Sequence, residues 1–297
     1  MFKNLRILIL FCLIAYSLLK LPPAQARDYA ITLDFDQVKP VASITRTATI
    51  MAAFTAAKVD GIRVKVNRPL SGAVTHKTVP AGRMRLLVNG QPFQLANSTV
   101  TINFADRIRN AAAINLALEL TFNPEDPADR YHGAITLKTW ANNAAGAKEW
   151  NNVINVKLTA VIQPWIKIQQ NPPVVILEKA DYGAGKLVNR QPLQLRIAAN
   201  SNWVLTCKLT GDCLLKPSVK ILAVNPTNRA QVLNPDFTVT ANRRNLALGP
   251  ATVAANRLWT ELRLNIEIKD FTKYPAGKYT IPLQFAAFLW GPKDPIP

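Results

Sequence analysis

Apolar and polar residues alternate over much of this chain. Ile62-Arg63-Val64-Lys65-Val66 places three aliphatic residues on one side and two cations on the other. Arg83-Met84-Arg85-Leu86, Leu193-Gln194-Leu195-Arg196-Ile197 and Leu262-Arg263-Leu264-Asn265-Ile266-Glu267-Ile268 repeat the pattern. A period of two points successive side chains to opposite faces of a pleated strand, so these runs predict antiparallel sheet with one face buried and one in water. Breakers separate the runs: Asn89-Gly90, Asn123-Pro124, Asn171-Pro172-Pro173, Asn225-Pro226 and Asn234-Pro235. Many short strands between regular turns predict sandwiches or barrels. Two alanine-rich stretches, Thr47 to Lys58 and Ala105 to Ala113, are compatible with short helices, because alanine has the highest helix propensity. Neither is long enough to form a helical layer.

One pattern occurs twice. Ile114 to Phe122 alternates, a proline-containing loop follows, and Tyr131-His132-Gly133 opens a second alternating run. Leu262 to Ile268 alternates, a short loop follows, and Tyr274-Pro275-Ala276-Gly277 opens another. Tyr131 and Tyr274 are about half the chain apart, which suggests a duplication with its boundary near Gln163-Pro164. A tyrosine at the start of a late strand fits the tyrosine corner of Greek-key sandwiches, where its hydroxyl bonds a backbone group. Trp203 alternates with Leu205 and Cys207 and reads as a core residue. Trp140, Trp150, Trp165 and Trp290 lie near loops or ends, where an exposed ring could stack on a sugar.

The amino terminus carries an address. Lys3 and Arg6 precede an apolar run from Ile7 to Leu19, which Lys20, Pro22 and Pro23 close. The run is shorter than the roughly 20 residues that cross a bilayer. Ala24-Gln25-Ala26 supplies a small-x-small cleavage signal, so a signal peptide is expected at 1–26. The rest divides into expected domains at 27–163 and 164–297, with no membrane span in the mature chain. Cleavage removes Cys12 and leaves Cys207 and Cys213. An even cysteine count in an exported chain predicts a disulfide between them, across the turn sequence Thr210-Gly211-Asp212.

The sequence contains little catalytic chemistry. His76 and His132 fall in expected turns and have no Gly-x-Ser-x-Gly partner. No cofactor is expected: phosphate-loop and dinucleotide patterns are missing, as are clusters with metal-ligand spacing. Asp34 and Asp36 flank Phe35 and should share a strand face. Glu125, Asp126 and Asp129 form an acidic loop; a solvated loop is the simplest reading, with calcium binding or a glycosidase pair as rivals.

Charge is the clearest functional clue. The 297-residue chain has 36 basic and 18 acidic residues, a net charge of +18, in a composition that is 49% hydrophobic. Losing the leader leaves +15, divided as +6 on 27–163 and +9 on 164–297, so the charge is not confined to a tail. Arg63, Lys65, Arg83, Arg85, Arg196 and Arg263 occupy outward strand positions and form a candidate anionic-polymer face. Such a field attracts anionic polymers. Outside the cytoplasm the expected partners are anionic polysaccharide or wall polymer, or other envelope proteins. A specific nucleic acid is not expected, because no aromatic–basic stacking motif is present.

The arrangement resembles tandem bacterial immunoglobulin-like exported surface proteins. Tyr274-Pro275-Ala276-Gly277-Lys278-Tyr279-Thr280-Ile281-Pro282-Leu283 is similar to the closing hairpin of spore-coat-U-type and pilus-like exported proteins, which pair a Pro-Ala-Gly-x-Tyr turn with a last strand. Pro282 within the strand and a single cysteine pair depart from that family. The resemblance implies an all-β protein, two tandem antiparallel immunoglobulin-like β-sandwich domains after a cleaved signal peptide. It also implies a non-enzymatic structural or adhesive module, secreted to the cell surface or periplasm. The two-sandwich, basic build is also similar to that of periplasmic pilus-assembly chaperones, which act by β-strand addition.

Overall fold

The computed structural model describes residues 27–50, 59–96, 99–104, 114–142, 145–178, 187–211, 215–225, 230–251, 259–268 and 277–290. The expected signal peptide, Cys213, Tyr274 and the alanine-rich stretch 105–113 lie outside them. In chain order the strands are β1 (Arg27–Val38), β2 (Ile44–Ile50), β3 (Gly61–Gly72), β4 (Thr78–Val79), β5 (Met84–Val88), β6 (Gln91–Gln94), β7 (Thr99–Asn103), β8 (Leu116–Phe122), β9 (Asp129–Asn142), β10 (Lys148–Ile162) and β11 (Ile166–Asn171). They continue as β12 (Val175–Glu178), β13 (Leu187–Asn189), β14 (Leu193–Ala199), β15 (Trp203–Leu209), β16 (Pro217–Val224), β17 (Gln231–Val232), β18 (Asp236–Thr238), β19 (Arg244–Gly249), β20 (Thr260–Ile268), β21 (Lys278–Ile281) and β22 (Leu283–Leu289). Among the described residues the only helical element is a 3-10 turn at Ala81–Arg83. The protein is all-β.

The alternation seen in the sequence becomes the burial pattern. On β3, Ile62 and Val64 are buried while Arg63 and Lys65 are exposed. On β20, Leu262, Leu264, Ile266 and Ile268 are buried. One sheet has the order β1-β10-β9-β3-β4, with β7 also on β3, and it faces the sheet β2-β8-β5-β6. Their facing side chains, from Leu33 to Ile162, form one apolar cluster. A second cluster, from Val175 to Phe285, fills the space between an eight-stranded sheet centred on β14 and β20 and the sheet β17-β19-β15-β22. The chain passes from β10 to β11 through Gln163, Pro164 and Trp165.

Three departures from the sequence reading have physical causes. Thr47 to Ile50 is not helical but the end of β2: it pairs with β8, which gives Ala48 and Ile50 an apolar surface and overrides alanine's helix preference. The rest of that alanine-rich stretch, 51–58, lies outside the described residues. Strand β1 runs parallel to β10, whereas the alternation predicted antiparallel pairing throughout. A parallel pair needs a long connection, and here the remaining strands of the first cluster supply it. Its register shifts between Asp34 and Gln37, where Asp36 has φ +60°. Thirdly, His132 lies within β9 rather than in a turn.

The repeated sequence pattern folds differently in its two occurrences. The first pair of runs, β8 and β9, lies in opposite sheets. In the second, β20 and β21 share a sheet, and the chain crosses to the opposite sheet at Pro282 before forming β22. Proline has no N–H for the ladder, and the Pro282 carbonyl accepts bonds from the Thr210 N–H (2.8 Å) and hydroxyl (3.0 Å).

Candidate functional site

The six cations of the candidate face do not form one surface. Arg83, at the end of the 3-10 turn, is held by Asp126 (2.7 Å) and Glu125 (3.0 Å). Arg85 on β5 pairs with Glu119 on β8. Arg196 on β14 pairs with Glu261 on β20 at 3.0 Å. Arg263 lies one rung further along β20, opposite Gln194, in a shallow recess with Asn171 and Pro192. Arg63 and Lys65 remain together on the outer face of β3, away from the other four.

The structure adds a residue that the sequence reading missed. Lys138 on β9 stands directly opposite Arg63, and Thr136 stands opposite Lys65. Alternation through Ile135, Leu137 and Thr139 already points Lys138 outward, but only the register places it beside Arg63. A shallow groove of about 450 Å³ follows these positions, lined by Arg63, Lys65, Asn67, Thr136, Lys138 and Asn155, with Thr99 and Val153. None of the lining residues is acidic. Among the described residues, no ion pair involves Arg63, Lys65 or Lys138.

Hydrogen bonds fix the groove floor. Thr136 Oγ1 accepts from Asn67 Nδ2 and donates to Asn155 Oδ1 at 2.9 Å. This row crosses β3, β9 and β10. Beyond Arg63 the groove meets a pair of tryptophans. The Arg63 guanidinium lies over the Trp150 ring, 4.5 Å from its centroid, in a cation–π contact. Trp150 in turn stands edge-on to Trp140, with centroids 5.6 Å apart. Trp140 is buried, but Trp150 is 37% exposed. Of the tryptophans weighed for sugar stacking, Trp150 is the one at this groove; Trp165 is buried, and Trp203 is in the core as its alternation implied.

The acidic loop has a different role from those the sequence suggested. Asp126 is only 6% exposed and, besides Arg83, accepts from the Asn123 N–H at 2.8 Å. Asp129 Oδ2 accepts from the N–H groups of Val74 (2.9 Å) and Thr75 (2.7 Å) and from the Thr75 hydroxyl (2.8 Å). Partial burial raises the Asp129 pKa, but these donors and the Arg130 N–H outweigh it and hold the carboxyl below its ordinary value. The carboxylates therefore serve the fold rather than forming a solvated loop. Next to them Tyr131 is buried and donates its hydroxyl to the Pro127 carbonyl at 3.0 Å, as a tyrosine corner requires. Burial, and then the charge of Asp126, raise its pKa.

Cys207 is fully buried in the second core and carries a free thiol; its expected disulfide partner, Cys213, lies outside the described residues. Burial pushes the thiol pKa up to about 12. A second cleft, of about 290 Å³, lies beside Val174 and Ile176, but its charged end is occupied internally. There Glu178 binds both Arg190 and Lys278, the latter at 3.0 Å.

The fold and this face define an all-β sandwich protein with a cationic groove on one sheet. No protein-family model matches the chain, and no curated protein matches it. Among solved structures it is similar to a chain of the chaperone–tip adhesion subunit pre-assembly complex of the archaic Csu pili of Acinetobacter baumannii, at 10% identity, covering 88% of this chain and 98% of that one with a TM-score of 0.39. It is also similar to CfaE, the adhesive subunit of the CFA/I fimbria of enterotoxigenic Escherichia coli, at 12% identity, covering 88% and 92% with a TM-score of 0.33. The CupB6 tip adhesin of Pseudomonas aeruginosa matches at 10% identity over 83% and 86%, with a TM-score of 0.26. Nothing about the residues of the groove follows from these likenesses.

Proposed function

We propose that this chain is an exported, non-enzymatic envelope protein, a structural or adhesive module that holds anionic surface polymer on the outer face of β3 and β9. Its organisation is a leader at 1–26 followed by two sandwiches at 27–163 and 164–297. One observation carries the reading. Arg63, Lys65 and Lys138 stand on neighbouring strands in a groove without acidic lining, whereas Arg83, Arg85 and Arg196 are each neutralised by a carboxylate. Cations without a carboxylate partner keep their field for a ligand, and a polymer that neutralises several of them gains from counterion release.

Two measurements test the proposal. Cell fractionation should find the protein outside the cytoplasm; a purely cytoplasmic chain contradicts it. Retention on an anionic polymer column should fall steeply as salt rises, and salt-independent retention contradicts it.

The competing reading is a pilus-assembly chaperone acting by strand addition. It is favoured by β22, which among the described strands pairs only with β15 and so forms a sheet edge. Co-purification with pilin-like subunits would support it in place of polymer binding.

A further inference from the structure

We infer that the polymer held in the β3–β9 groove is a carboxylated polysaccharide; this rests on the preceding reading that the groove binds anionic polymer at all. Three kinds of group meet there, and each restricts the ligand. The first is cationic. Arg63 lies over Trp150, and a guanidinium offers an oxyanion a planar fork of N–H donors. A carboxylate matches that fork through two parallel hydrogen bonds. Lys138 and Lys65 add point charges on the same and the next rung.

The second kind is amide. A side-chain amide has two N–H donors and an oxygen with two lone pairs. Asn67 spends one N–H on Thr136, and Asn155 spends one lone pair on the Thr136 hydroxyl. Both are otherwise exposed. Asn67 therefore presents an acceptor, and Asn155 presents donors, beside Lys65. A polyphosphate backbone offers acceptors only and cannot use the Asn67 oxygen. Sugar hydroxyls both donate and accept, so they satisfy both amides.

The third kind is aromatic. The exposed part of Trp150 at the end of the groove gives an apolar surface for a sugar ring. Bases of a single-stranded nucleic acid would need a succession of such rings, and among the described residues no aromatic side chain lines the groove itself, Trp150 meeting it through Arg63. At about 4.8 Å between strands, the four strands β7, β3, β9 and β10 span about 14 Å, enough for a short run of sugar units.

The test compares three polymers on the full exported chain at about 150 mM salt: polygalacturonate, its neutral carboxyl-reduced form, and polyphosphate of matched charge. Polygalacturonate should bind about tenfold tighter than either of the others. Asn67→Ala should weaken polygalacturonate about fivefold and leave polyphosphate within about twofold, and Trp150→Ala should weaken polygalacturonate more than polyphosphate, which loses only the support of Arg63. Polyphosphate binding as tight as polygalacturonate, or tighter, overturns the inference but leaves charge-driven binding intact. Equal binding of the neutral carboxyl-reduced polymer overturns both the inference and the charge-driven reading beneath it. Failure to bind any of the three overturns both the inference and the reading beneath it. The comparison on the unmodified chain decides even if a variant folds poorly.

Discussion

Gly61 on β3 lies directly opposite Trp140 on β9, and the Trp140 indole fills the space where a side chain at Gly61 would be. A Cβ at Gly61 would stand 2.2 Å from the ring and 2.5 Å from the Ile102 carbonyl oxygen. The second core repeats the device: Gly249 on β19 is opposite Trp203 on β15, and a Cβ there would stand 2.1 Å from that ring. Overpacking of this kind costs about 1–3 kcal/mol. Gly61→Ala and Gly249→Ala should each lower the unfolding free energy by that amount, read as a lower denaturant midpoint at unchanged slope. Gly61→Ala should also weaken polymer binding, because Trp140 supports Trp150 and Trp150 supports Arg63. An unchanged midpoint in either variant contradicts this packing.

Asn200 joins the acidic loop of the first core to the start of the second. Its side-chain Oδ1 accepts from the Trp165 N–H at 2.7 Å, and its Nδ2 donates to the carbonyls of Gln163 (3.1 Å) and Asp126 (3.2 Å). Its own carbonyl accepts from the Ala128 N–H. Asn200 is 3% exposed, so truncation leaves buried groups without partners. Asn200→Ala should cost about 2–3 kcal/mol and split thermal unfolding into two transitions. A single transition at the original temperature contradicts this role.

The thiol of Cys207 should be unreactive in the folded protein. It is buried, and its pKa of about 12 leaves almost no thiolate at neutral pH. Alkylation should fail under native conditions and succeed after denaturation without a reductant. Failure in the denatured state would instead show the disulfide to Cys213 expected from sequence.

Asp129 gives a pH dependence with a definite sign. Its folded pKa lies below the unfolded value, so the stability it contributes is full above the ordinary carboxylate pKa and is lost as pH falls through the folded value. Wild type should therefore lose stability below about pH 4, by more than an Asp129→Asn variant does. At pH 7 the substitution should cost about 1 kcal/mol, since the carboxylate is partly solvated. Equal acid sensitivity in the two proteins contradicts the assignment.

The strands and their inward faces were legible in the sequence because a period of two needs only local information. The tyrosine corner at Tyr131 and the core position of Trp203 were legible for the same reason. Pairing was not. Glu119 neutralises Arg85 because β8 lies against β5, and Glu261 neutralises Arg196 because β20 lies against β14. Lys138 joins Arg63 through a register that no local pattern states. The parallel course of β1 was equally hidden, since its partner β10 lies far along the chain. The outward positions of the cations were therefore readable, but which of them would share a surface was not.

Binding of anionic polymer by Arg63, Lys65 and Lys138 is the proposed function of the β3–β9 face. Its most direct test is the salt dependence of polymer affinity for wild type, for the double variant Lys65→Glu, Lys138→Glu, and for Arg85→Gln as a control on the opposite sheet. The double variant should lose at least about tenfold in affinity and show a shallower dependence of log affinity on log salt, while Arg85→Gln stays within about twofold of wild type. Equal loss in the control and the double variant, or no loss in either, would contradict it.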